Sequence, residues 1–302
     1  LPVSKLPRPK KGSISFITQS GAIGSAVLDL LAYEDFGFSK FISYGNATNV
    51  SETDYLEFLG KDKNTKIICM YIEAIKDGKK FLKVAKKIKK PIIVIKGGKS
   101  ERGNKATMSH TGSLAGAWQV YQGAFKQAGV ILADNVEQMF HIAKLFEKLP
   151  KPKGNKVQVI TNGGGYGIVV TDTLVTSKIP MAKMGKQSIH YLTAHVPKIA
   201  IVGNPLDLTG GATNKQYNLS LRTAFTDHKV DIILLVLLHQ TPSIDEKMVS
   251  IVNKYKKKPL LVVSTGGKQT EALSRKIESN GTPVFRFPEQ AVYALKKWLD
   301  FY

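Results

Sequence analysis

Lys90-Pro-Ile-Ile-Val-Ile-Lys-Gly-Gly-Lys99 returns later in the chain as Lys258-Pro-Leu-Leu-Val-Val-Ser-Thr-Gly-Gly-Lys268. Each copy is a short β-branched run entered through Lys-Pro and closed by a glycine turn, the pattern of a buried parallel strand. Working outward, the matches continue in order. The strand and turn Ile14 to Gly21 return as Val157 to Gly164, and Gly45-Asn46 as Gly203-Asn204. Ile67 to Ile72 returns as Asp231 to Leu238, and the closing Asn135-Val-Glu-Gln-Met-Phe helix as Pro288-Glu-Gln-Ala-Val-Tyr293. A pattern repeated over that many elements predicts two domains of one fold.

The first copy alternates strictly. Strands are predicted at Ser13–Thr18, Phe41–Tyr44, Ile67–Ile72, Ile92–Ile95 and Val130–Leu132. Helices are predicted at 23–33, 54–59, 78–88, 115–128 and 136–149, and a loop carries the chain from Lys96-Gly-Gly-Lys-Ser100 to His110. Short strands alternating with helices give an α/β fold of two tandem flavodoxin-like, doubly wound parallel sheets. The expected division is 1–12 as a linker from an upstream domain, 13–150 as the first domain, 151–156 as a Pro/Gly/Lys linker and 157–302 as the second. In the second copy Gly267-Lys268 runs straight into a helix, so the His110 loop marks a functional addition to the first.

Composition narrows the function classes. The chain has 302 residues, 43% of them hydrophobic, and a net charge of +21. The longest apolar run, Ile232 to Leu238, is far too short to cross a bilayer. A single cysteine, Cys69, excludes a disulfide framework and makes a reducing cytoplasm the expected compartment. The basic runs Lys86–Lys90 and Lys254–Lys258 end helical patterns, where cations suit the dipole, and read as solvated helix ends. Zinc-finger spacing and aromatic RNA-binding signatures are both missing, which disfavours nucleic acid as a partner.

Three turns carry the chemistry. Ser20-Gly21-Ala22 and Asn162-Gly163-Gly164-Gly165 each join an apolar strand to a helix, so their first amides are free for a phosphate, worth roughly 0.3–1 kcal/mol per helix end. Neither is a dinucleotide fingerprint, because Gly163, Gly165 and Gly167 are out of register with it. The P-loop spacing fails at Ile93, and Ser20 has Thr18 where a hydrolase elbow needs glycine. The third stretch, Lys105-Ala-Thr-Met-Ser109-His110-Thr111-Gly112-Ser-Leu-Ala-Gly116, presents a histidine among small and hydroxylated residues, and His110 reads as a transiently phosphorylated nucleophile. Glu73, just past the third strand, would accept a hydrogen bond from one imidazole nitrogen and leave the other to attack phosphorus. His141, His190, His195, His228 and His239 read as surface or core residues, and no zinc site is spaced correctly, so no metal is expected in the chain itself.

The order of the Ser-Gly turn, Tyr71-Ile-Glu73, Ser-His110-Thr-Gly, Asn-Gly-Gly-Gly165 and Asp207-Leu-Thr-Gly-Gly-Ala-Thr213 resembles the succinyl-CoA synthetase superfamily, and within it the NDP-forming acyl-CoA synthetases such as ADP-forming acetyl-CoA synthetase. The resemblance implies an acid–thiol ligase that interconverts acyl-CoA, ADP and phosphate with carboxylic acid, CoA and ATP through an acyl phosphate. It also implies phosphohistidine at His110 oriented by Glu73, with Ser109, Thr111, Gly112, Asp207, Gly210 and Gly211 as nearby supports. Coenzyme A, ATP/ADP and Mg2+ would be held mainly by a CoA-binding domain and an ATP-grasp subunit or domain, in an oligomer. Two other classes stay open: a catalytically silent synthetase-like regulatory module, or a basic polyanion-binding module.

Overall fold

The computed structural model describes residues 5–34, 36–111 and 117–302, with backbone alone at 110 and 111. The chain forms two compact units, Leu1–Glu147 and Lys148–Asp300. The first contains β1 (Lys10–Thr18), α1 (Gly21–Tyr33), β2 (Gly37–Ser43), α2 (Glu52–Lys61), β3 (Ile67–Ile72) and α3 (Gly78–Ala85), then β4 (Ile92–Lys96), α4 (Glu101–Thr111), α5 (Trp118–Gln127), β5 (Ile131–Leu132) and α6 (Val136–Lys148). The second contains β6 (Val157–Thr161), α7 (Gly164–Thr176), α8 (Lys186–His195), β7 (Leu206–Asp207), α9 (Asn214–Thr226) and β8 (Ile232–Val236), then α10 (Lys247–Asn253), β9 (Leu260–Val263), α11 (Lys268–Ser279), β10 (Val284–Phe285) and α12 (Pro288–Phe301).

Both sheets are parallel and five-stranded, ordered β2-β1-β3-β4-β5 and β7-β6-β8-β9-β10. This is the flavodoxin-like order, and it places a topological switch point between β1 and β3 and between β6 and β8. Strands buried on both faces explain the runs Ile67–Ile72 and Ile232–Val236, whose core positions have almost no exposed surface.

Several boundaries move. β2 starts at Gly37 rather than Phe41, because Gly37 and Gly12 bring two backbones together where a Cβ would sit 2.3 Å from a carbonyl carbon. Helix α2 starts at Glu52, fixed by a reciprocal capping box between Ser51 and Asp54. The stretch leading to His110 is α4 rather than a loop, and α5 starts at Trp118 rather than 115. Two elements therefore distinguish the copies: α4, between β4 and α5, has no counterpart between β9 and α11, and α8, between α7 and β7, has none between α1 and β2. Helix α8 had no sequence expectation.

The repeat also re-registers. Tyr44 N donates to Thr18 O (3.1 Å) as Leu208 N does to Thr161 O (2.8 Å), and the next residues, Gly45 and Thr209, share φ of +57° and +63°. Gly45 thus corresponds to Thr209, not to Gly203. Gly203-Asn204 instead precedes β7, where the Asn204 amide bonds to Val159 N, Val157 O and Ala182 O. The basic runs are exposed except at their last residues. Lys90 Nζ bonds to the carbonyls of Leu59 and Asp62, and Lys258 Nζ to those of Ala224, Asp227 and Val230, so each caps the end of a neighbouring helix and loses basicity through burial.

Candidate functional site

The two phosphate-type turns are built by one device. Thr18 Oγ1 bonds to both N and O of Ser20 (3.1 and 2.9 Å), and Thr161 Oγ1 to both N and O of Gly163 (2.9 and 3.0 Å). The next side chain then straps the switch point. Gln19 Oε1 accepts from Glu73 N and Ala74 N, and Asn162 exchanges two 3.0 Å bonds with Leu238 and donates to Thr241 Oγ1. Asn162 is buried and spends its side chain on this strap, which leaves the backbone of its turn to face outward. Gln19 carried no sequence signal of its own; its alignment with Asn162 in the repeat was the available one.

The helix starts differ. Ser20 caps α1 by accepting from Ile23 N (3.3 Å), while Gly163 caps α7 with no side-chain bond. A Cβ on Gly163 would meet Leu238 Cδ1 at 2.5 Å, and one on Gly164 would meet Asp207 Oδ2 at 2.8 Å. Glycine is therefore needed at both positions, and the Asp207 carboxylate stands against the start of α7. Its Oδ1 accepts from Thr209 N (2.8 Å), which supports a β-branched residue in left-handed backbone. Gly210 and Gly211 are exposed beyond it.

In the first unit Glu73 is buried at the end of β3, beside Tyr71, whose hydroxyl bonds to it. Burial, then the adjoining carboxylate, push the Tyr71 phenol up to about 12. Burial also raises Tyr44, with Glu52 and Glu73 adding to the effect. Lys96, which closes β4 opposite Ile72, is 2% exposed; its ammonium donates to Gly97 O and lies 4.6 Å from the centroid of the Tyr121 ring. Burial pulls Lys96 down to about 8, and the Glu73 carboxylate opposes that shift. Tyr44, Lys96 and Tyr121 were missed by sequence reasoning, although a lysine closing the apolar run Ile92–Ile95 was a visible anomaly.

The helix that carries His110 springs from the same edge. Gly98, at φ +74°, lets Asn104 and Thr107 of α4 close onto the turn after β4, and Ser100 receives Gly103 N (3.1 Å) and Asn104 N (2.7 Å). His110 and Thr111 end α4. Ser109 is exposed and bonds back to Lys105 O (3.1 Å). The side chains of His110 and Thr111, and Gly112 entirely, lie outside the described residues. Of the histidines read as bland, His195 stacks on Tyr191, whereas His239, after β8, is 8% exposed with neither ring nitrogen bonded among the described residues. No group of three or more metal-ligating side chains is found among the described residues. In the same set no helix is long and apolar enough to cross a membrane.

Residues 11–146 match the succinyl-CoA ligase like flavodoxin domain, and residues 157–295 match the Ligase-CoA domain. The alpha subunit of an ADP-forming acetate–CoA ligase of Pyrococcus furiosus is 39% identical over 300 residues, covering 95% of this chain and 65% of that subunit. The chain belongs to the succinyl-CoA ligase superfamily, whose two domains fill most of it. An ADP-forming 4-hydroxybutyrate–CoA ligase of Nitrosopumilus maritimus is a more distant member, 34% identical over 97% of this chain and 43% of its own length. Among solved synthetases, acetyl-coenzyme A synthetase 1 of Ca. Korarchaeum cryptofilum, in complex with phosphate and ADP, superposes with a TM-score of 0.90 at 33% identity, over 97% of this chain and 65% of that one. The chain thus spans about 65% of the alpha-type synthetase relatives it matches.

Proposed function

We propose that this chain is the alpha-type part of an ADP-forming acyl-CoA synthetase and that it passes a phosphoryl group through His110. Phosphate attacks the thioester carbonyl, and the acyl phosphate forms as CoA leaves. An imidazole nitrogen of His110 then attacks phosphorus and releases the carboxylate, and a terminal oxygen of ADP takes the phosphoryl group, giving ATP and free imidazole. Neutral imidazole suits both steps, as nucleophile and as leaving group near pH 7. Glu73 orients the ring, and the amides opening α1 and α7 hold phosphoryl oxygens, with Asp207, Gly210 and Gly211 nearby. CoA and the Mg2+-nucleotide fall mainly to the CoA-binding and ATP-grasp parts that the family resemblance implies.

The carrying observation is Glu73, buried at the end of β3 where it adjoins β1 at the switch point, with the helix that bears His110 rooted on the turn after the neighbouring strand. The test mixes the chain with an ATP-grasp partner and ATP labelled in its γ-phosphate. An acid-labile label on His110, lost in His110→Ala and weakened in Glu73→Gln, is expected. Absence of label with an active partner supports a silent module instead. A steeply salt-dependent shift with generic RNA supports the polyanion reading.

A further inference from the structure

Helix α8 is an element that the second unit adds to the common fold, and a cleft opens between it and α9. The cleft holds about 490 Å³, the size of a small-molecule site. One wall is a stripe of α9, Lys215, Leu219 and Arg222, spaced i, i+4, i+7 so that all three share a face. The other wall is Tyr191 and His195 of α8, whose rings stack with centroids 4.2 Å apart and 28° between their planes. Hydrogen bonds hold this pair in place. His195 Nδ1 donates to Tyr191 O (2.8 Å), and the Tyr191 hydroxyl accepts from Arg222 Nη2 (2.7 Å), which also fixes the guanidinium across the cleft.

Charge in the cleft has one sign. Lys215 and Arg222 line it with no ion pair among the described residues, and none of the described side chains lining it is a carboxylate. Lys215 also sits in the first turn of α9, where the helix dipole disfavours a cation. The first unit shows that the fold does not dictate this. Counted from the capping box that α2 and α9 share, Lys215 and Arg222 take the places of Thr53 and Gly60, and Gln216 takes that of Asp54. The cap is kept while its charge is removed: Gln216 Oε1 accepts from Thr213 N (2.7 Å), and its amide nitrogen adds donors to a cleft without acids. Two uncompensated cations beside a stacked ring pair form the chemistry that recognises a flat ring carrying phosphate. We propose that this cleft binds a nucleoside phosphate, with the phosphates on Arg222 and Lys215 and the base against the Tyr191–His195 pair. Binding here is independent of phosphoryl transfer at His110.

The test titrates the full chain with ADP, coenzyme A, adenosine and inorganic pyrophosphate, and follows the backbone amide shifts of residues 191–195 and 215–222 by NMR. ADP is expected to move them saturably with Kd below about 1 mM, and adenosine and pyrophosphate, each carrying half of the recognised chemistry, to bind at least about tenfold more weakly. Coenzyme A contains the same adenosine diphosphate with a further phosphate on its ribose, so its arm tells which of the two carriers the cleft prefers, and saturable binding of either supports the site. The double variant Lys215→Gln with Arg222→Gln should weaken ADP at least about tenfold, as when charge-assisted bonds are lost. Tyr191→Leu should weaken ADP about fivefold or more and pyrophosphate by less. Amides of the second sheet that stay in place in the variants report an intact fold. Shifts that remain linear to about 10 mM with both ADP and coenzyme A would overturn the site. Pyrophosphate binding as tightly as ADP, or ADP binding unmoved in both variants, would overturn it equally.

Discussion

The first unit keeps Glu73, Lys96, Tyr71 and Tyr44 at the carboxyl edge of its sheet; the second has Leu238, Ser264, Val236 and Leu208 in the same places. Strand order, the threonine-held turn and the strap across the switch point are common to both. What differs is therefore what the fold can do without. The second edge shows that uncharged side chains satisfy the architecture, so the fold alone does not require the buried charges of the first. The largest effect should come from erasing this difference. Glu73→Leu combined with Lys96→Ser gives the first edge the residues of the second, and His110 labelling should fall by at least about a hundredfold, as when a group needed to orient a catalytic base is lost. Stability should change less than labelling does, because the second edge folds with Leu238 and Ser264 in those places. Glu73→Leu alone leaves the Tyr71 hydroxyl without its acceptor and should cost on the order of 1–3 kcal/mol. Urea unfolding of Glu73→Leu, Lys96→Ser and the double variant checks it, and additive single and double effects would show that the two side chains are not coupled.

How much of this was legible in the sequence depends on which interactions set each feature. The two sheets were legible because strands buried on both faces write themselves as uninterrupted β-branched runs. Gly45 was mispaired with Gly203 because its true counterpart is Thr209, and a left-handed backbone held by the Asp207 carboxylate does not need glycine. Helix α4 was read as a loop since Ser, Thr, Gly and Asn crowd its sequence, and its start is set by Ser100 and by packing on Gly98 rather than by propensity. Glu73 and Ser20-Gly21 could be singled out from strand ends alone. Lys96 showed in the sequence only as a lysine closing an apolar run, and what makes it unusual, its burial against Tyr121 of α5, is a tertiary property. The role of Asn162 was likewise hidden: its side chain reaches across to Leu238, far away in sequence.

A middle-sized effect tests the second edge. His239 occupies the place of Ala74, and burial pulls its imidazole down to about 4. The unfolded chain takes up that proton near pH 6.5 and the folded unit resists it, so stability is complete above about pH 6.5 and declines as the pH falls toward 4. Between pH 7 and pH 5 the decline should be roughly 2 kcal/mol, read as a lower urea midpoint for the second unit. His239→Leu should flatten that part of the profile. An equally steep profile in the variant would assign the loss to other groups of the second unit.

The smallest effect concerns the helix starts. Asp207 takes the place of Ser43, so α7 opens against a carboxylate while α1 opens against none at that position. A charge that close to the first amides occupies the positive end of the helix dipole, and a phosphate must compete with it. Asp207→Asn keeps the oxygen that accepts from Thr209 N and removes only the charge, so the turn should survive. Inorganic phosphate should then bind the α7 start about two- to fivefold more tightly, the equivalent of roughly 0.5–1 kcal/mol. Ser43→Asp should weaken binding at α1 by a similar factor. Amide chemical shifts of Gly21 and Ala22, and of Gly164 and Gly165, followed through a phosphate titration, read the two ends separately. If both variants leave both ends unchanged, the carboxylate is a structural support for Thr209 and the two starts are equivalent as anion sites. If the exchange moves affinity from one end to the other, a single charge sets which end of the pair holds phosphate more tightly.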